Sequence, residues 1–182
     1  LENWGYNTLW FADERFFREV YSSLTICALN TQNLRIGTCV TDPFSRHPAL
    51  TAMAIGTIDE VSNGRAILGL GAGIAGFYEL GISSPRPAKA LRETVDLIRG
   101  LIQGQVVEFF GQTTNLKRTK LDFEPHRKTL PIFITSNSPY GLRAAGETAD
   151  GVIMSGCGDE PSLKAALAMV ELGAHHVGRS IT

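Results

Sequence analysis

Short apolar runs alternate with longer segments of helical spacing along the whole chain. The runs are rich in Val, Ile and Leu and predict five strands, at 8–12, 34–40, 65–71, 130–135 and 151–155. Apolar residues three and four positions apart predict five helices, at 20–30, 48–61, 87–103, 139–147 and 160–177. In the second of these helices the apolar positions are Leu50, Met53, Ala54, Ile58 and Val61.

Strands that are each followed by a helix predict a parallel sheet buried on both faces, and so an α/β fold. Two layouts have this pattern, an open doubly wound sheet and a (β/α)8 TIM barrel. An open dinucleotide-binding sheet, as in a NAD dehydrogenase, would carry GxGxxG after its first strand. The nearest match, at 69–73, follows the third strand and lacks the last glycine. The pattern therefore favours a barrel and leaves the open sheet as the alternative.

Residues 106–128 interrupt the alternation of strands and helices. This excursion predicts a small hairpin around Gly111. We otherwise treat 1–182 as a single domain. The chain starts without Met and stops without a closing element, so we interpret it as an internal fragment, incomplete at both ends.

Composition narrows the classes of function. With 17 basic and 18 acidic residues the net charge is −1, so we expect no binding to nucleic acid or to an anionic membrane. No apolar run approaches the roughly 18–20 residues that span a bilayer. The three cysteines are far apart and fit neither a disulfide framework nor a metal knuckle, and the histidines lack ligand spacing. We therefore expect no metal site and a reducing, cytoplasmic location.

Several motifs together resemble one family, the bacterial luciferase-like monooxygenases, and within it the methylenetetrahydromethanopterin reductase-like, deazaflavin-dependent branch. The likeness covers 4–155 in the family's order and spacing. It implies a (β/α)8 barrel of which this chain carries about five parallel strands, the second to the sixth. The motifs lie at 10–13, 36–43, 46–49, 58–73, 130–134 and 145–152.

The resemblance implies an oxidoreductase whose cofactor is coenzyme F-420 (8-hydroxy-5-deazaflavin) or FMN. The reduced cofactor would pass a hydride to or from a small organic substrate. An FMN-dependent monooxygenase that consumes molecular oxygen is the alternative within the family. A non-catalytic, cofactor-binding barrel fragment is the alternative from another class.

The resemblance also implies two catalytic positions, Asp13 and Glu14, directly after the first strand and near the cofactor ring. A helix cap or a solvated charge is the alternative for a carboxylate at this place. The second strand is expected to back the ring with Gly37, Thr38, Cys39 and Val40, the Cys39–Val40 peptide bond being cis. The ordinary alternative is a buried strand with a core cysteine.

Gly71 and Gly73 end the third strand and are expected to form a wall of the cofactor site, since glycine lets backbone approach a ring closely. A tight strand-to-loop turn is the alternative. Ile74 stands where the pterin reductases carry an acidic residue, which argues against a pterin substrate. Residues 75–82 are expected to shape the substrate entrance.

The loop after the fourth strand is the best candidate for an anion site. Ser136, Asn137, Ser138 and Gly141 surround a predicted helix N-terminus, where free N–H groups favour a phosphate. Ser138 also fits a plain helix cap. We interpret His47 as a scaffold residue, and the resemblance implies a homodimer formed by the early helices, around 16–28.

Overall fold

The computed structural model describes residues 1–73 and 76–180. Its centre is a parallel sheet of five strands, β1 (Thr8–Phe11), β2 (Arg35–Thr38), β3 (Ala66–Leu70), β6 (Ile132–Thr135) and β7 (Gly151–Ile153). They pair in the order β1-β2-β3-β6-β7. The two remaining strands, β4 (Val107–Phe110) and β5 (Asn115–Thr119), form an antiparallel hairpin, which confirms the hairpin predicted around Gly111.

The five predicted helices are all present, and their ends lie close to the predicted residues. They are α1 (Val20–Leu29), α2 (Pro48–Val61), α4 (Pro87–Ile102), α5 (Pro139–Thr148) and α6 (Glu160–His176). A 3-10 helix at Glu2–Trp4 and a short helix α3 (Phe77–Leu80) were not predicted. Each is at most four residues long, so neither shows a helical period in the sequence. Among these helices of the described chain, none is both long and apolar enough to cross a membrane.

The order of the strands decides between the two layouts that the sequence left open. A doubly wound sheet reverses its strand order at a switch point, whereas a barrel adds each strand beside the previous one. Here every parallel strand pairs with its predecessor in the sheet, without a reversal. Right-handed crossovers in one direction place the helices on one face of the sheet. The five strands therefore form an arc of a barrel.

The core lies between the outer face of this arc and its helices. Fully buried side chains come from α1, β2, α2, β3, α4 and β6, as in Leu24, Ile36, Ile55, Leu68 and Leu97. On α2 the predicted apolar positions are only partly core positions. Ile58 is buried, but Leu50, Met53 and Val61 are exposed, because the face that packs inward carries small and polar residues as well.

Two helices pack closely through small residues. A Cβ at Gly146 on α5 would overlap the carbonyl oxygen of Val170, and one at Gly173 on α6 would overlap that of Arg143. Glycine on each helix thus lets the two backbones approach. This close crossing fixes α6 against the layer that carries β7.

A buried carboxylate joins the hairpin to α4. The Glu93 side chain is 5% exposed, and its oxygens accept hydrogen bonds from Gln112 N (2.8 Å), Thr113 N (2.9 Å) and Thr114 N (3.3 Å). The Thr113 hydroxyl donates a fourth, at 2.6 Å. Burial by itself raises the pKa of Glu93, but these hydrogen bonds outweigh it and hold the pKa below its ordinary value of 4.5.

We predict that Glu93→Gln destabilises the protein by about 1–3 kcal/mol at neutral pH, because an amide oxygen cannot replace a carboxylate that accepts four hydrogen bonds. Since the folded-state pKa is lowered, the contribution of Glu93 is complete above 4.5 and is lost as the pH falls through the folded-state value. Urea unfolding of both proteins between pH 7 and pH 3 measures the difference.

The matched control is Glu108→Gln, an exposed carboxylate on the same hairpin. Its free energy of unfolding should follow that of the unchanged protein at every pH. A Glu93→Gln penalty that grows as the solution is acidified would contradict the assignment.

Candidate active site

A cleft of about 540 Å³ opens at the carboxyl ends of the parallel strands. All five strands of the arc contribute lining residues from the loops that follow them, as expected for a barrel of this kind. The volume is within the range of small-molecule sites. The cleft collects ten of the twelve predicted site residues: Asp13, Glu14, Cys39, Val40, Gly71, Gly73, Ser136, Asn137, Ser138 and Gly141.

The loop after β1 brings two carboxylates to one end of the cleft, in different surroundings. The Asp13 side chain is 10% exposed, and its Oδ1 accepts a hydrogen bond from Arg15 Nη1 at 3.1 Å. Glu14 is exposed, and its carboxylate makes no hydrogen bond to the part of the chain that the structure describes. Neither residue is the cap of α1, because Glu19 accepts the hydrogen bond from Ser22 N at 2.7 Å.

The loop after β2 supplies the middle of the cleft. The Cys39–Val40 peptide bond is cis, which confirms the prediction, and both side chains line the cleft. Burial raises the pKa of the Cys39 thiol above its ordinary value of 9.0, so at neutral pH this residue offers an uncharged, soft surface.

Two predicted residues of the second strand do not line the cleft. Gly37 is buried where a Cβ would lie 2.6 Å from the Trp10 ring, so its role is to let this ring pack on the strand. Thr38 is fully buried, and its hydroxyl donates to Gly69 O (2.8 Å) and accepts from Gly69 N (3.0 Å). Both residues are buried within the sheet. The cleft begins only at Cys39, which directly follows the end of the strand.

Two glycines form the adjoining floor. A Cβ at Gly71 would lie 2.6 Å from Val40 Cγ2 and 3.1 Å from Thr135 Cγ2, so no side chain fits there. Gly73 has a φ of +62°. Ile74 and Ala75 lie outside the described residues. Of the predicted entrance, the described part includes α3, whose Phe77 is buried against Phe44 and whose Tyr78 is 94% exposed; neither lines the cleft.

The loop after β6 forms the opposite end of the cleft. Ser138 is the cap of α5, since its Oγ accepts from Gly141 N at 3.1 Å, and Ser136 Oγ accepts from Ser138 N at 3.1 Å. Asn137 Oδ1 accepts from the Ser155 hydroxyl at 3.2 Å. Capping and cleft lining therefore coexist here, and the residues at this end carry no charge.

Several lining residues were missed by the sequence analysis. Arg15, Asp42 and Ser155 each follow a strand end closely, as Asp13 does, so the same positional rule could have found them. No local signal marks the side wall that α4 supplies with Pro87, Ala88 and Leu91, because it depends on how the helix packs.

Among the residues that the structure describes, the contacts of His47 are structural, which agrees with its interpretation as a scaffold residue. Its Nδ1 accepts from Ala49 N at 3.1 Å and so caps α2, and its Nε2 lies 3.0 Å from Asn115 O on the hairpin. In the described ranges, no group of three or more His, Cys, Asp or Glu side chains is placed to hold a metal ion.

Known proteins resemble the chain along its full length. The 5,10-methylenetetrahydromethanopterin reductase of Archaeoglobus fulgidus is 39% identical over 180 residues, which are 98% of this chain and 53% of that protein. Its counterpart in Methanolobus tindarius is 36% identical, over 98% of this chain and 54% of that protein. The chain thus spans about half the length of these relatives.

A solved structure shares the fold. The coenzyme F420-dependent tetrahydromethanopterin reductase of Methanopyrus kandleri superposes with a TM-score of 0.92 at 29% identity, over 98% of this chain and 56% of that one. Residues 1–182 also match the sequence pattern of the luciferase-like monooxygenases from end to end. The chain belongs to the luciferase-like monooxygenase family, and its five parallel strands are part of that family's barrel.

Proposed function

We propose that the protein is an oxidoreductase that binds coenzyme F-420 or FMN in the cleft and transfers a hydride to or from a small organic substrate. One observation carries this proposal. The cleft has an acidic end, where Asp13, Glu14 and Asp42 outnumber Arg15, a middle of thiol, aliphatic side chain and bare backbone, and a hydroxyl- and amide-lined end at the start of α5. These three regions match, in order, a reacting substrate, the flat ring of the cofactor and its phosphate tail.

The middle of the cleft fits a flat ring. Cys39, Val40, Gly71 and Gly73 present a thiol, an aliphatic side chain and bare backbone, and at Gly71 even a methyl group would be too large. The bound cofactor would supply the redox chemistry, and these residues would orient its ring and exclude water from one face.

The end at α5 fits an anion. Ser136, Asn137 and Ser138 offer neutral polar side chains, and Gly141 lets the first turn of α5 lie close to them. The positive end of the α5 dipole favours a phosphate at this place.

The acidic end would face the substrate. Glu14 is exposed and so is free to exchange a proton with a substrate or with water, whereas Asp13 is held in place by Arg15. We assign catalytic roles to both carboxylates, Glu14 in proton exchange and Asp13 in orienting the reacting group.

Coenzyme F-420 is the cofactor that we favour. The relatives that are 39% and 36% identical are named as methylenetetrahydromethanopterin reductases, and the structure at 29% identity is named as coenzyme F420-dependent. Methylenetetrahydromethanopterin is therefore the first substrate to test, although the apolar Ile74 differs from the acidic residue expected in such enzymes. An FMN-dependent monooxygenase is the second candidate, because the family is described as luciferase-like monooxygenases.

We predict that the protein expressed from its complete gene binds coenzyme F-420 more tightly than FMN. Parallel fluorescence titrations measure both affinities. Tight binding of FMN alone would make the oxygen-dependent reaction the working one. Binding of a cofactor without turnover of any substrate would favour a non-catalytic protein, and binding of neither by a folded protein would contradict the proposal.

The anion site has its own test. Ser136→Ala combined with Ser138→Ala should weaken cofactor binding by about 1–3 kcal/mol in total, because two hydroxyl groups that reach a charged phosphate are lost. Asp159→Ala is the control. Asp159 Oδ1 caps α6 by accepting a hydrogen bond from Ser162 N at 2.8 Å, and this residue does not line the cleft. Equal cofactor affinities in the folded double variant and the unchanged protein would contradict the role of these serines.

We also propose that the protein is a cytoplasmic homodimer that pairs through α1, α2 and the loop before them. Phe16 and Phe17 are each 74% exposed, Ile26 is 64% exposed, and Leu50 and Met53 on the adjacent helix are about half exposed. Unpaired apolar side chains on two neighbouring helices favour a partner with the same surface.

For the dimer, Ile26→Glu combined with Met53→Glu should give a monomer in sedimentation experiments at micromolar concentration. Leu172→Glu, an exposed apolar position on α6, should leave the molecular mass unchanged. A monomeric unchanged protein would contradict this part of the proposal.

A further inference from the structure

A guanidinium connects the loops that follow the first two strands. Arg15 Nη1 donates to the Asp13 backbone oxygen at 2.8 Å and to Asp13 Oδ1 at 3.1 Å. Its Nη2 donates to Asp42 Oδ2 and forms an ion pair with it. The Arg15 side chain is 14% exposed, so the contacts are shielded from water. Charge-assisted hydrogen bonds of this kind are stronger than neutral ones.

The far anchor of this connection is rigid. Asp42 is 1% exposed, and its Oδ1 accepts from Phe44 N at 2.8 Å and Ser45 N at 2.7 Å, while its Oδ2 accepts from the Ser45 hydroxyl at 2.6 Å. The preceding residue, Thr41, is bridged to Leu70 at the end of β3. Asp42 is therefore fixed to the sheet, and Arg15 is fixed to Asp42.

The stem of Arg15 has little room to move. Its Cβ and Cγ lie so close to Gly76 that a side chain at Gly76 would overlap both atoms. The glycine has a φ of +73°, which places the start of α3 against the arginine. Three loops, after β1, β2 and β3, thus meet at this side chain.

Asp13 depends on Arg15 for its orientation. In the part of the chain that the structure describes, the hydrogen bonds of the Asp13 carboxylate come from Arg15 alone. Without the guanidinium, Asp13 would be drawn towards water and away from Asp42, because two carboxylates on the same wall of a partly dry cleft repel each other. Glu14 makes no hydrogen bond to Arg15 in the described part of the chain, so its position does not depend on the guanidinium.

We propose that Arg15 is a positioning residue, which holds the Asp13 carboxylate at the acidic end of the cleft through the fixed anchor of Asp42. The proposal rests on the proposed function, since it treats Asp13 as a group that orients the reacting substrate. Arg15 itself acts through Asp13 and not on the substrate.

The test compares Arg15→Met with Arg18→Met in the protein expressed from its complete gene. Both substitutions remove one positive charge from the same loop, but Arg18 is exposed and lies outside the cleft. For Arg15→Met we expect kcat to fall between about tenfold and a hundredfold, as for a displaced catalytic group. Cofactor affinity and substrate KM should stay within about twofold, and Arg18→Met should leave all three values unchanged.

A double-variant cycle separates positioning from a general structural effect. If Arg15 acts through Asp13, Arg15→Met should change kcat by less than about twofold in an Asp13→Asn background. Arg15→Lys keeps the charge but lacks the two separate nitrogens that contact Asp13 and Asp42, so we expect it to restore part of the lost kcat. Losses of kcat that multiply in the double variant would overturn the proposal. An increase in KM at unchanged kcat would also overturn it, because it indicates that Arg15 contacts the substrate directly.

A crystal structure of Arg15→Met gives a readout that does not depend on the reaction. The proposal expects the Asp13 carboxylate to leave its position while Asp42 and its turn stay in place. An unmoved Asp13 would overturn the proposal even in an active enzyme. If the unchanged protein binds neither cofactor, the proposed function fails, and this structure alone decides whether Arg15 positions Asp13.

Discussion

Parallel pairing in chain order is the constraint on which the rest of this structure depends. Because each strand lies beside its predecessor in the sheet and points the same way, the loops that follow the strands all open at one edge. Residues more than a hundred positions apart, such as Asp13 and Ser136, therefore line one cleft. The same pairing leaves the amino ends of the strands to structural contacts, such as Arg127 with the buried Asp59.

Sequence analysis could identify the elements because their signals are local. Apolar runs such as 130–135 and capping residues such as Ser138 fix strands and helix starts without reference to distant residues. The choice between a barrel and an open sheet was not local, because it depends on which strands pair. The family resemblance indicated the barrel, and the strand order established it.

The differences between the predicted site residues and the lining of the cleft have the same physical origin. Gly37 and Thr38 were grouped with Cys39 and Val40 by motif, yet the packed sheet extends to Thr38 and the cleft begins only after it. Arg15 was not predicted because its partner Asp42 lies 27 residues away along the chain and meets it only in the folded protein. Leu50 and Met53 on α2 have helical spacing but are exposed in the structure. A helical period shows that a face is apolar, but it does not show what covers that face.

The long connection from β3 to α4 has a consequence for how this protein can diverge. It contains α3 and contributes Gly71 and Gly73 to the cleft at its start, while most of its length runs over the surface. Insertions in such a surface connection cost little stability, since the entropy of closing a loop grows slowly with its length. The loop after β6 is shorter, since only residues 136–138 separate this strand from α5. Sequence changes beyond Gly73 in this one loop can therefore alter the surface beside the cleft while the strands of the arc stay unchanged.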